Sequence, residues 1–380
     1  MRIGLDLRPF LKDATGIGVY YRNLLFSLAE IDITNEYFLF SSSFKDRFPV
    51  AQLPPFQQKR VCDRRWPSQL VNWLWSRMQR PRLETIFKIA LDLTHSPTPL
   101  LLPSKGKSIV TVHDLFFWEH PEMVDRKTRN LFLKYTRNSL RQADGVIAVS
   151  QYTKDEAVRR FALDPDKVRV IHHGLKKGLD PDETGVMEAV LKSKFRLPDR
   201  FLLFVGADEP RKNLPALIDA LKLVHEMSEK IVLVVAGGKG SDRTRVEARI
   251  TSQNLTSSVR FLGYLSDAEL SALYRLATLV VLPSLCEGFG FPLLEAMASG
   301  VPIVASETSA LPEIGQDAAR YFDPSSAEAI SQTILQVLED ESLQQKLVER
   351  GRLRLRDFSW TRSAEQTLDF YSEVVAGGSL

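Results

Sequence analysis

Residues 201–225 read FLLFVGADEPRKNLPALIDALKLVH, and residues 2–30 read RIGLDLRPFLKDATGIGVYYRNLLFSLAE. Each opens on a short apolar run, crosses a polar turn and enters a segment whose apolar residues recur at helical spacing. The turn is ADEPRKN in one stretch and carries the glycines of DATGIG in the other. Strand, turn and helix in that order open a doubly wound sheet, so two such openings predict two such sheets.

The same alternation fills the chain outward from these stretches. SIVTVH, GVIAVS, VRVIHH, IVLVVAGG, VRFLGY, LVVLPS and PIVAS are near-continuous apolar runs separated by helical patterns. Runs of that kind suit parallel strands buried on both faces. The predicted fold is α/β, with two Rossmann-like domains facing a central cleft lined by strand carboxyl ends. HHGLKKGLDPDETG, rich in glycine, proline and charge, reads as the linker, giving domains 1–178 and 179–359 and a closing helix at 360–377.

Composition narrows the function classes. The 380 residues are 44% hydrophobic and 26% charged, an ordinary globular balance for two domains. No apolar run approaches the roughly 20 residues of a membrane span. MRIGLDL reads as a strand from its start, so no leader is expected, and Cys62 and Cys286 are too few for a disulfide framework or a cysteine zinc site. A cytoplasmic protein is expected, at most peripheral on the inner face of a membrane. Residues 1–180 hold 29 Lys/Arg against 19 Asp/Glu (+10) and the rest 21 against 28 (−7), which together make the net +3. A basic half suits an anionic partner such as lipid headgroups or an anionic glycan. Nucleic acid is not expected, because no nucleic-acid-binding motif accompanies the charge. TGIGVYY has Tyr21 where a dinucleotide fingerprint needs its third glycine, which disfavours an NAD oxidoreductase. The Asp-Pro-Asp triplets at 164–166 and 180–182 read as solvated turns rather than metal ligands, and no metal or other cofactor is expected.

The chemistry concentrates in SLCEGFGFPLLEAMASGVPIVAS, residues 284–306. Glu287 falls on a strand-to-helix loop and Glu295 in the first turn of a helix that Pro292 starts and Gly300 closes. The Gly288–Phe289–Gly290 backbone and the helix N-terminus suit a phosphate. A carboxylate there would repel phosphate, so both glutamates are expected to meet neutral donors, such as vicinal sugar hydroxyls. The expected ligand is therefore a sugar nucleotide. A helix cap would explain one glutamate but not the second or the glycine pair. Gly206 opens GADEPRKN, whose Arg211 and Lys212 sit near a helix start and can neutralise a departing diphosphate. His113 ends the strand SIVTVH where it would look into the cleft; His95 ends DLTHS, and His172 and His173 lie at the domain junction.

CEGFGFPLLEAMASGVPIVAS, GADEPRKNL, RFLGYLSDAELSALY and TGIGVYYRNLL together resemble the retaining glycosyltransferases of GT-B fold with an E-x(7)-E signature, family 4-like, group 1. The resemblance runs over nearly the whole chain, and FSWTRSAEQTLDFYSEVV is similar to that family's last helix, which crosses back onto the first domain. It implies transfer of a sugar, mannose in the relatives with a similar TGIG opening, to a glycan or lipid-linked acceptor in cell-surface polysaccharide assembly. The resemblance gives Glu295 the nucleotide ribose and Glu287 the donor sugar hydroxyls. The backbone of Gly288, Phe289 and Gly290 would approach the sugar and phosphate, with Arg211 and Lys212 on the diphosphate. Gly16 and Gly18 would close over the phosphates, His113 would touch the sugar, and Gly263 and Tyr264 lie where relatives hold the base. VIHHGLKKG departs from the family's Asn-Gly-Val-Asp run. A sugar-nucleotide epimerase of the same fold and a non-catalytic sugar-nucleotide binder are the alternatives; a phosphorylase would need a cofactor-bearing lysine that is not recognisable here.

KRVCDRRWPSQLVNWLWSRMQRPR, residues 59–82, has three tryptophans among eight apolar residues and seven arginines and lysines. Leu70, Val71, Leu74, Trp75 and Met78 share a helical face with Trp73 beside it, which fits either a buried helix or one lying on anionic lipid.

Overall fold

The computed structural model describes residues 1–11, 16–44, 47–124, 126–176, 185–228 and 230–377. The chain divides into two compact units, one of Met1–Gly174 with Ser359–Leu380 and one of Leu175–Phe358.

The first unit is built on seven strands: β1 (Arg2–Asp6), β2 (Glu36–Ser42), β3 (Lys59–Arg64), β4 (Leu93–Ser96), β5 (Lys107–Val112), β6 (Gly145–Ala148) and β7 (Val168–Val170). They form a parallel sheet in the order β3-β2-β1-β4-β5-β6-β7. The second has six: β8 (Phe201–Val205), β9 (Val232–Ala236), β10 (Val259–Gly263), β11 (Leu279–Leu282), β12 (Ile303–Ser306) and β13 (Arg320–Phe322). Their order is β10-β9-β8-β11-β12-β13, again all parallel. In both sheets the order reverses beside the first strand, between β1 and β4 and between β8 and β11. A loop leaving such a switch point opens a crevice at the carboxyl edge.

Central strands are buried on both faces, as in β8 and β11, and the helices Leu214–Met227 and Ala327–Glu339 pack Leu217, Leu221, Ile330 and Ile334 over the second sheet. β3 is the exception. Its residues Lys59 to Arg64 carry no alternating apolar pattern; pairing with β2 makes them an edge strand, and the charges guard that edge against further pairing. Within residues 59–82 only Ser68–Met78 is a longer helix.

The closing helix, Trp360–Ala376, packs within the first unit. Tyr371 meets His95 Nδ1 at 2.6 Å, and Phe370 fills the space a side chain at Gly145 would need. Gly174 lies so close to Trp360 that a Cβ would come within 2.4 Å of its backbone nitrogen, which restricts that position to glycine. Among the described residues no helix is long and apolar enough to cross a membrane. Asp164 accepts from the Asp166 backbone in a short turn; the triplet at 180–182 and most of the expected linker lie outside the described residues.

Candidate active site

The carboxyl ends of β8 and β11 hold most of the residues that the sequence singled out in the second unit, and Gly263 and Tyr264 lie at the end of β10. After β8 the chain turns at Gly206 and passes through the 3-10 turn Pro210–Lys212. Asp208 and Arg243, both buried, form an ion pair that pins this loop, and the Arg243 guanidinium lies 3.7 Å from the Phe261 ring centre. Leu285 N donates to Arg211 O at 2.8 Å, which joins the loop after β8 to the loop after β11. Arg211 and Lys212 are thereby presented to Glu287 although 75 residues separate Lys212 from it.

Lys212 Nζ donates to Glu287 Oε1 at 2.5 Å and Arg211 Nη1 to Oε2 at 3.1 Å. Ser284 Oγ adds a third bond to Oε1 at 2.7 Å, and Glu287 N donates to Ser309 Oγ at 2.9 Å. Glu287 is only 8% exposed and Lys212 9%. Burial alone would raise the Glu287 carboxyl, but the Lys212 and Arg211 charges, with the Lys212 and Ser284 hydrogen bonds, hold it down at about 2. This differs from the neutral environment that the sequence suggested. The physical reason is that a buried carboxylate needs compensating charge, and the adjacent loop supplies it twice. Arg211 also bonds Glu209 at 3.1 Å, so two cations face two carboxylates.

Glu295 is in the helix Phe291–Ala298, which starts at Phe291 rather than Pro292, so the glutamate falls past the first turn. It is therefore too far along the helix to serve as a cap. Its carboxylate accepts from Tyr274 Oη at 2.7 Å with both side chains buried. Burial raises its pKa, opposed by the Tyr274 bond. The helix N-terminus is also poorer in donors than the sequence reading assumed: Pro292 has no N–H and Leu293 N donates to Gly290 O at 3.0 Å. Gly290 has φ +98°, and a Cβ there would sit 2.7 Å from Leu311 Cδ2. Phe289 is buried against Phe291 and Phe358, so its side chain serves the core. Gly263, at φ +74°, ends β10 and Tyr264 beside it is 69% exposed.

The first unit holds the remaining predicted residues. Gly16 and Gly18 begin the helix Gly16–Ile31 after β1; residues 12–15 of that loop lie outside the described residues. His113, beyond β5, donates from Nε2 to Pro97 O at 2.9 Å, which leaves Nδ1 as an acceptor. Burial lowers its pKa to about 4, so it is neutral at pH 7 and can accept a hydroxyl hydrogen bond but supplies no positive charge. His95 is fully buried between Tyr371 and Thr111 and has a structural role, while His173 packs against Tyr20 and Trp360. Tyr274, Ser284, Ser309 and the Asp208–Arg243 pair escaped the sequence reading. Of these, only Tyr274 left a signal, a hydroxyl on the inward face of a helix whose phase the Ser266–Glu269 capping box sets.

A family model described as glycosyl transferases group 1 matches residues 188–354, and one described as Glycosyltransferase Family 4 matches residues 14–177. The chain belongs to this glycosyltransferase family. This glycosyltransferase is similar to the O-antigen chain mannosyltransferase B of Escherichia coli, 29% identical over 384 residues, covering 98% of this chain and 99% of the relative. Its fold matches sucrose-phosphate synthase from Thermosynechococcus elongatus (TM-score 0.79, 21% identity, all of both chains). It also matches Anabaena HepE in complex with UDP and glucose (TM-score 0.75, 18% identity, 98% of this chain and 100% of the other). The fold is GT-B.

Proposed function

We propose that this glycosyltransferase moves a mannosyl residue from a nucleoside diphosphate sugar to a hydroxyl of a glycan or lipid-linked acceptor in cell-surface polysaccharide assembly, with retention of anomeric configuration. The observation that carries the reading is the cluster of buried Glu287 and Lys212 with half-buried Arg211 at the carboxyl edge of β8 and β11. The full-length similarity to an O-antigen chain mannosyltransferase supports mannose, and the fold shared with a UDP- and glucose-bound protein supports a nucleotide-sugar donor.

On this reading the carboxylate keeps two cations in place until the diphosphate competes for them. The diphosphate then draws Lys212 and Arg211, and Glu287 is released to the donor sugar hydroxyls. The sugar–phosphate bond ionises towards an oxocarbenium-like state while the two cations stabilise the departing phosphate, an electrostatic contribution of the kind that dominates many enzyme barriers. The acceptor hydroxyl enters on the face the leaving group vacates and passes its proton to the leaving phosphate oxygen. Glu295, held by Tyr274, binds the ribose, and no metal or other cofactor is required. A lipid-linked acceptor sets the reaction on the cytoplasmic face of a membrane, with the protein peripheral to it.

Thermal shift with GDP, UDP and ADP identifies the base, since a ligand at 100 times its Kd stabilises by about 2.7 kcal/mol. Incubation with the matching labelled sugar and acceptor should release nucleoside diphosphate and give a product whose anomeric proton coupling matches the donor's. Stabilisation without any sugar transfer would favour the non-catalytic binder, and neither effect with any donor would overturn the reading.

A further inference from the structure

In the first unit the helix Ser68–Met78 presents two unlike faces. Val71 and Trp75 point inward, where Trp75 Nε1 donates to Pro81 O at 3.2 Å and the Arg8 guanidinium stacks 4.4 Å from the Trp75 ring centre. Arg8 is held by Asp6 at the end of β1 and also bonds Asn72 at 2.7 Å, so the helix is seated firmly. Leu70 and Trp73, turned away from Val71 and Trp75, and Met78 at the helix's last position are about half exposed, with Trp66 preceding the helix and Phe44 just beyond β2 exposed too. Exposed large apolar residues scattered singly need no explanation, but several on one edge, two of them tryptophans, mark an interaction surface.

The rim is cationic. Arg64, Arg65, Arg77 and Arg80 are exposed around these side chains, and residues 59–82 hold seven Lys/Arg against the single acid Asp63. Behind the helix a cleft of about 290 Å³ is lined by Leu74, Met78, Arg80, Pro81, Arg82 and Thr85. Apolar walls beneath two guanidinium groups match the junction of a phospholipid's phosphate with its acyl chains. Tryptophans at half exposure with arginines beside them suit the headgroup boundary of a bilayer.

We infer that this face, helix Ser68–Met78 with its arginine rim and cleft, docks the protein on an anionic phospholipid bilayer. The apolar side chains enter the headgroup boundary while the arginines bind lipid phosphates. A protein or RNA partner would match the charge, but neither accounts for an arginine-rimmed apolar cleft behind an exposed tryptophan helix. The inference rests on the proposed membrane-face reaction for its purpose, and on residues outside the candidate active site for its substance.

The full-length protein is floated with phosphatidylcholine vesicles and with vesicles doped with phosphatidylglycerol, at low and high salt. Binding is expected only to the doped vesicles, weakening with salt, with a blue shift and lipid-quencher sensitivity of tryptophan fluorescence. Arg77→Glu/Arg80→Glu should weaken binding by roughly tenfold or more, since each basic residue at a membrane surface contributes about fivefold. Leu70→Ser/Trp73→Ser should weaken it by roughly tenfold or more through lost apolar burial. Both variants should keep the wild-type thermal midpoint and nucleotide-induced shift, because these side chains are exposed and not in the candidate active site. Equal binding to neutral vesicles, unimpaired binding by both variants, or a dimer in solution that either variant dissolves would overturn the docking face. Loss of nucleotide binding and sugar transfer with vesicle binding intact would instead overturn the proposed function.

Discussion

Glu287 and Glu295 are both buried carboxylates, yet one has charged partners and the other a neutral one, and the proposed function gives them different tasks. Glu287 is held ionised by Lys212 and Arg211, with its carboxyl at about 2. Glu287→Gln keeps the shape and removes the charge that a flattening, positively charged sugar would feel. It should depress kcat by roughly 10²-fold, about 2.7 kcal/mol. It also removes the anion competing for the two cations, so nucleoside diphosphate should bind the variant more tightly than wild type. Steady-state kinetics with isothermal titration checks both; normal turnover, or weaker nucleotide binding, contradicts the assignment. Glu295 has a neutral partner, Tyr274, and the proposed reading gives it the ribose, away from the reacting bond. Glu295→Ala should raise KM and nucleotide Kd by roughly tenfold with modest effect on kcat, the mark of uniform binding. Tyr274→Phe leaves the Glu295 carboxylate buried without its donor, at about 1–3 kcal/mol. Its melting temperature should fall, and an unchanged melting temperature would mean that the bond contributes nothing.

At the scale of elements, the helix Trp360–Ala376 is tied to the first sheet through a buried histidine. His95 bridges Tyr371 and Thr111, and His113 and His173 pack around Tyr20 nearby. Burial, with His113 beside it, lowers His95 to about 3, and burial lowers His113 to about 4, from the ordinary 6.5. Above 6.5 the histidines are neutral folded or unfolded and cost nothing. As pH falls below 6.5 the unfolded chain takes up protons that the fold refuses, so stability is lost progressively down to about 4 for His113 and about 3 for His95. The urea midpoint should be flat above pH 7 and fall through that window. His95→Asn should lose part of the slope; a variant with the full wild-type slope would show that His95 does not contribute to it.

For the whole molecule, the decisive property is where the positive charge for the leaving group comes from. On the proposed reading Arg211 and Lys212, both in the loop after β8, supply it, and no metal is expected beside them. Turnover should persist in excess EDTA, and activity lost to chelation and restored by Mg²⁺ or Mn²⁺ would contradict this. The same cations should make product inhibition by nucleoside diphosphate sensitive to salt, though less than an exposed pair, because Lys212 is buried.

The apolar runs around RIGLDL and FLLFVG were enough to predict two parallel sheets, because strands buried on both faces leave a continuous apolar record. The edge strand Lys59–Arg64 left none, since its conformation comes from pairing with β2 and not from its own side chains. The glycine turn at 288–290 and the glutamates eight positions apart marked the candidate site in the sequence alone. What surrounds each carboxylate did not follow from it. Lys212 reaches Glu287 across 75 residues and Tyr274 reaches Glu295 across 21, contacts created by neighbouring strand ends and helix faces. Local pattern determines which residues point inward; only the packed chain decides which charge meets which, because a buried carboxylate takes whatever donor the tertiary fold brings within reach.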